Sequence, residues 1–204
     1  MRITFATTLI LASITIASPV ASTGYCRPGR KTYIANYDDL PFTEPGPNPI
    51  GSYEGLTYNI FQVDQYDFFI PPTSGDKWAM AFGGSGNFSD ASQVDSSPSA
   101  RQPHSSFALQ SFSFACVSGV PQPECAITVY GYRTAGGSLK RIITYPRLDS
   151  GHPVEDYIMN ATTFSREWTN LRSVGFSIAR ADNGGDMFGG LALDDVKYTI
   201  SSGC

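Results

Sequence analysis

Gly189-Gly190-Leu191-Ala192-Leu193-Asp194-Asp195-Val196-Lys197-Tyr198-Thr199-Ile200 is the stretch whose reading decides the fold. Its residues alternate as in a strand. Ala192, Asp194, Val196, Tyr198 and Ile200 share one face, and Leu191, Leu193, Asp195, Lys197 and Thr199 share the other. Whichever face is buried therefore carries a carboxylate. A buried carboxylate costs several kcal/mol unless a cation or several donors meet it, so this strand demands a partner elsewhere in the chain. The other acidic doublet, Asp38-Asp39, is the expected partner, and such a pairing would tie the first strand to the last.

The stretches before it read as strand and turn. Tyr33 to Tyr37 is rich in strand formers, and Leu56, Tyr58 and Ile60 alternate against Thr57, Asn59 and Phe61. Lys77 to Phe82, Ser106 to Val117, Cys125 to Tyr132, Leu139 to Tyr145 and Val174 to Arg180 follow as further runs. In the third of these, Ile127 and Val129 alternate against Thr128, Tyr130 and Tyr132. Gly136-Gly137 predicts a hairpin, and the segment around Trp168 is expected to hold one helical turn. Residues 83–106 are rich in Gly, Ser, Asp and Pro and read as a long flexible loop. Nine or ten short strands without strand–helix alternation predict an all-β fold, an antiparallel two-sheet jelly-roll sandwich.

Met1-Arg2, an apolar run to about Ile16 and the small residues Ala17 to Ser22 have the form of a secretory signal peptide over residues 1–22. Residues 23–204 are then read as one β-sandwich domain, secreted and monomeric. No second apolar run reaches the roughly 18 residues of a membrane span. The net charge of -4 is mild and the basic residues are scattered along the sequence, which argues against a nucleic-acid partner. Four cysteines in an oxidising compartment imply two disulfides, for which three connectivities exist. Cys116 and Cys125 flank a turn-rich insert and are expected to bridge locally, leaving Cys26 to pair with Cys204. Asn87-Phe88-Ser89 and Asn160-Ala161-Thr162 are N-glycosylation sequons.

Leu191-Ala192-Leu193-Asp194-Asp195-Val196, followed by an aromatic strand residue and then Gly203-Cys204, resembles the closing motif of MAM domains, extracellular jelly-roll modules of receptors and adhesion proteins. Asn36-Tyr37-Asp38-Asp39-Leu40 with Tyr53-Glu54-Gly55-Leu56-Thr57-Tyr58 resembles the opening of a group of secreted fungal proteins read as galactose-binding-like jelly rolls. The resemblance implies a non-catalytic module for carbohydrate or cell-surface glycan, with acidic residues near the first and last strands around a structural cation.

The residues themselves give four functional expectations. Tyr66, Trp78 and Trp168 are candidate stacking partners for sugar rings, set against the alternative that the aromatics, 13% of the chain, fill the core. Asp38 or Asp39 with Asp194 or Asp195 are candidate ligands of one Ca2+, completed by backbone carbonyls and Glu54. The alternative is separate doublets, or a carboxylate met by backbone N–H groups. A host-directed effector or wall protein acting through protein contacts is the rival to glycan binding. A jelly-roll polysaccharide hydrolase or lyase is the third reading, and no G-x-S-x-G motif or opposed carboxylate pair favours it.

Overall fold

Thirteen residues, Gly190–Ser202, form the last strand, β11, and most of the sheet is hung on it. The structure is a computed structural model that describes residues 29–46, 48–65, 70–82, 92–96, 106–117, 124–147, 157–180 and 189–202. Before β11 come β1 (Gly29–Ala35), β2 (Pro49–Tyr53), β3 (Leu56–Gln65), β4 (Lys77–Phe82) and β5 (Ser92–Ser96). They are followed by β6 (Ser106–Val117), β7 (Cys125–Arg133), β8 (Ser138–Tyr145), β9 (Asn160–Thr163) and β10 (Leu171–Arg180). The all-β antiparallel architecture is as expected.

Hydrogen bonding runs β8-β7-β10-β5-β3-β4-β11-β6-β9, with β1 beside β11 and β2 beside β3. This continuous ladder folds over on itself. Phe112 on β6 meets Phe176 on β10 with ring centroids 5.8 Å apart, and Phe114 on β6 meets Tyr145 on β8 at 6.2 Å. The Phe114–Tyr145 contact joins strands far apart in the ladder, and β6 also meets β10 directly where Phe107 pairs with Leu171, so the layer around β6 and β11 faces the layer β8-β7-β10-β5-β3. The β3–β4 pairing makes the corner between them. Edge-to-face aromatic packing of this kind fills the space between two sheets about 10 Å apart.

β11 changes neighbour half-way along. Gly190 to Leu193 pair with β4, whereas Val196 to Ser202 pair with β1, and β6 runs along the other side of both halves. The exchange falls at Asp194-Asp195, where the register against β6 slips and Asp195 takes φ +47°. A bulge of this kind re-aims side chains and ends one pairing so that another can begin.

A second irregularity corrects the expected alternation in β3. Ile60, read as sharing the face of Leu56 and Tyr58, is 58% exposed, while Phe61 is buried. Ile60 adopts φ +71°, so Asn59 and Ile60 both face solvent and the inward face resumes one residue later. β3 uses this shift to pass from β5, which pairs with Leu56 to Asn59, to β4, which pairs with Gln62 to Gln65.

The expected loop over residues 83–106 also needs correction, because β5 lies within it and pairs with β3 and β10. The segment around Trp168 forms a single turn, with the Trp168 N–H donating to the Ser165 carbonyl at 3.1 Å, and no helix. The Cys116–Cys125 disulfide joins the end of β6 to the start of β7. Cys26, Cys204 and the signal segment 1–22 lie outside the described residues. Among the described residues no helix is long and apolar enough to cross a membrane.

The bulge in β3 sets opposite costs on adjacent residues. Ile60→Thr is expected to change unfolding free energy by no more than about 0.5 kcal/mol, whereas Phe61→Ala costs about 3–5 kcal/mol. Urea unfolding of the two variants checks this, and a large cost at Ile60 would contradict the bulge.

Candidate functional site

Asp38, Asp194 and Asp195 converge on one segment, residues 73–77, which leads into β4. Asp194 lies on the inward face of β11 and is fully buried. Its Oδ2 accepts the Ser74 N–H at 2.8 Å and its Oδ1 accepts the Asp195 N–H at 2.7 Å. The Ser74 hydroxyl donates to Asp195 Oδ1 at 2.9 Å and sits 3.3 Å from Asp194 Oδ2. From the other side, Asp38 Oδ1 accepts the N–H groups of Asp76 and Lys77 at 3.0 and 3.3 Å. The Lys77 ammonium donates to the carbonyls of Asp38 and Leu40 at 2.7 and 2.9 Å, which fixes the chain leaving β1.

Gly75 is required here on two counts. It adopts φ +53°, and a Cβ at that position would overlap the Asp38 carboxylate. Asp39 points elsewhere and accepts the Tyr53 hydroxyl at 2.6 Å. The doublets therefore meet through a shared turn instead of through each other.

The donor set bears on the calcium expectation for Asp38, Asp39, Asp194 and Asp195. N–H groups are accepted by both oxygens of Asp194 and by one of Asp38. Among the described residues no group of three or more Asp, Glu, His or Cys side chains is placed to hold a metal ion. Burial pushes the Asp194 carboxyl up to about 6, with the N–H bonds from Ser74 and Asp195 pulling the other way.

Of the expected sugar-stacking aromatics, Trp78 and Trp168 belong to the core. They are 2% and 5% exposed. Trp168 packs on Phe164 at 4.6 Å, and a Cβ at Gly131 would come within 2.9 Å of its ring. Large indoles carry the greatest gain from burial, and a two-sheet core this aromatic absorbs them. Tyr66 lies outside the described residues, as does Asn87. Asn160 is half-buried at the start of β9, in a sequon whose Thr162 is buried.

A different aromatic pair faces outward. On β7, Cys125, Ile127, Val129 and Gly131 point inward and are buried, leaving Ala126, Thr128, Tyr130 and Tyr132 on the outer face. The rings of Tyr130 and Tyr132 are nearly parallel, inclined by 20° with centroids 6.4 Å apart. Lys140, directly across from Tyr130 on β8, holds its ammonium 6.0 Å from the Tyr130 centroid. Gly175 of β10 lies opposite Tyr130 on the other side and adds no side chain next to the ring. Ile142 of β8, 59% exposed and paired with Thr128, extends the surface. The alternation of Ile127 and Val129 against Tyr130 and Tyr132 was the sequence signal for this pair.

A concavity of about 280 Å³ opens between Leu40, Pro41, Thr43, Asn48, Pro49, Ile50 and Val63. Its polar residues are used internally. Asn48 accepts the Thr43 N–H at 3.0 Å and donates to the Thr43 carbonyl at 3.2 Å.

No family model matches the chain, and no curated protein matches it. Among solved structures it is similar to a DUF4465 family protein from Bacteroides caccae. That likeness has 13% identity and a TM-score of 0.49 and covers 85% of this chain and 100% of the other. It is also similar to the structure of CBM22-1 and GH10 modules of an endo-1,4-beta-D-xylanase from Clostridium thermocellum, complexed with xylohexaose. There the identity is 10% and the TM-score 0.40, over 84% of this chain and 28% of that one.

The buried carboxylate gives a pH dependence whose sign follows from its raised value. Protonated Asp194 is favoured in the folded state, so its stabilising contribution is fully present below the unfolded value of 3.8 and is lost as pH rises to about 6. The stability difference between wild type and Asp194→Asn should therefore shrink between about pH 4 and pH 7, by about 3 kcal/mol at most. At every pH the variant is the less stable, because its amide nitrogen cannot accept one of the two N–H groups. Denaturant melts of both proteins across this range provide the check, and a difference that widens with pH would contradict it.

Proposed function

We propose that the protein is a secreted, non-catalytic module that binds carbohydrate on the outer face of the β8-β7-β10 layer. The observation that carries this reading is the outward, nearly parallel Tyr130–Tyr132 pair. Sugar rings stack their C–H faces on aromatic rings while neighbouring polar groups take the hydroxyls. Two rings of common orientation on one rigid strand offer such faces at no cost in loop ordering. The Tyr130 and Tyr132 hydroxyls, Thr128 and Lys140 supply hydrogen-bonding partners around them.

Binding without turnover fits the chemistry of this face. Strands β7, β8 and β10 contain no Asp or Glu, so no carboxylate on them is available as general acid, base or nucleophile. Secretion is supported by the signal-like residues 1–22, and the Cys116–Cys125 disulfide agrees with an oxidising compartment.

Pull-down of the protein on a panel of insoluble polysaccharides tests the reading. Wild type should be retained by at least one of them. Tyr130→Ala/Tyr132→Ala should lose at least about tenfold in affinity at unchanged melting temperature, since each stacked ring contributes on the order of 1 kcal/mol. Retention of the double variant at wild-type strength would overturn the assignment of this face.

A further inference from the structure

The binding face proposed above leaves the sequon Asn160-Ala161-Thr162 without a role. The structure places it in β9, the four-residue strand at one end of the ladder. Among the described residues β9 pairs with β6 alone, with Asn160 opposite Phe114 and Thr162 opposite Phe112. Residues two apart in a strand share a face, so Asn160 and Thr162 project to the same side.

The two ends of the motif meet different surroundings. Thr162 is 7% exposed, and the ring of its ladder partner Phe112 packs on Phe164 at 5.2 Å and on Phe176 at 5.8 Å. Asn160 begins the strand and is half-buried, with Ile158 55% exposed before it and Ala161 exposed after it. The Ile158 carbonyl accepts the Tyr145 hydroxyl, and the Thr163 carbonyl accepts from Arg141. Asn160 lies between these two ties to β8, at the seam where one layer meets the other. A substituent on its amide has a way out to solvent there, whereas the Thr162 hydroxyl is closed off in the folded chain.

Resting on the secreted reading above, we propose that Asn160 carries an N-linked glycan and that the glycan is attached before β9 docks on β6. Transfer to a sequon needs the Asn amide and the hydroxyl two residues on at the same time. The donor is an oligosaccharide on a lipid diphosphate. Asn160 Nδ2 bonds to C1 of the first sugar, the C1–O bond breaks with its electron pair leaving on the diphosphate, and the amide gives up one proton. Burial of Thr162 closes the motif to this reaction once β9 is in place. Before that the motif is open, because a four-residue strand has few ladder bonds of its own and β11, the other neighbour of β6, follows it in the chain.

The experiment expresses the full chain, signal-like residues included, in a eukaryotic secretory host. Enzymatic release of N-glycans in heavy-oxygen water then converts each formerly modified Asn to a labelled Asp that peptide mass mapping locates. Asn160 should be labelled in the secreted protein. Asn160→Gln and Thr162→Ala should each lose that glycan, and Thr162→Ser should keep it. The order of events is read on full chain made without glycans in a bacterial host and offered to the transferase with its lipid-linked donor. Phe112→Ala removes the ring beside Thr162 and should be modified at Asn160 at least about tenfold more than folded wild type, whether or not the variant completes its fold. Secreted protein with Asn160 unmodified overturns the proposal and leaves secretion standing. A chain kept in the cytosol without glycan overturns both. Equal modification of folded wild type and Phe112→Ala overturns the proposed order of attachment and docking.

Discussion

The two N–H groups that meet the buried Asp194 carboxylate are the constraint on which the rest of the sheet depends. One comes from its own neighbour and the other from Ser74, 120 residues earlier. A carboxylate withdrawn from water without such donors would cost several kcal/mol, a large fraction of a domain's net stability. Meeting it locks the turn at residues 73–77, and that turn sets where β4 joins β11. Asp38 grips the same turn from the far side and sets where β1 departs. β11 can exchange β4 for β1 at Asp194-Asp195 because both incoming strands are held to one anchor at the point of exchange.

Much of this was legible from alternation. The period-two reading required donors for one carboxylate of the Asp194-Asp195 doublet and left open which; the structure buries Asp194, on the face of Ala192, Val196 and Tyr198. The local Cys116–Cys125 bridge followed from the turn-rich insert between apolar runs. What could not be read was the identity of the donor. Ser74 lies in a Pro-, Ser- and Gly-rich segment whose composition announces a loop and nothing about what its backbone will face. The bulge at Ile60 was equally silent, because a non-glycine residue in a positive-φ conformation leaves no mark in composition and shifts the inward face by one. β5 was hidden for a related reason. Apart from Val94 its residues are polar, and it owes its place to the neighbours β3 and β10 more than to its own pattern.

The functional face shows where the sequence reading stopped short. Trp78 and Trp168 drew attention by size, and size is what sends an indole to the core of a two-sheet sandwich. Tyr130 and Tyr132 are smaller and more telling, since they oppose a buried Ile127 and Val129 on the same strand. Charge behaved likewise: Lys140 and Tyr130 are not neighbours in sequence, and only the β7–β8 register sets them side by side. Local periodicity thus reveals which way a residue points, while shared surfaces depend on topology that periodicity does not carry.

The exchange of neighbours along β11 also has a consequence for how the chain acquires its shape. Synthesis delivers β1, β4 and β6 well before β11, and each of them needs β11 as a ladder partner. Until Gly190 to Ser202 emerge, the nascent chain holds three strands with an edge that nothing upstream completes. Such unpaired edges are templates for association with other chains. The sheet closes by contacts between its earliest and latest strands, with Gly29 opposite Ser202, which is the high contact order that slows folding. A chain built this way acquires its stability late and cooperatively, and a ribosome stalled before β11 would release a product in which β1 has no ladder partner and β4 and β6 each keep an open edge.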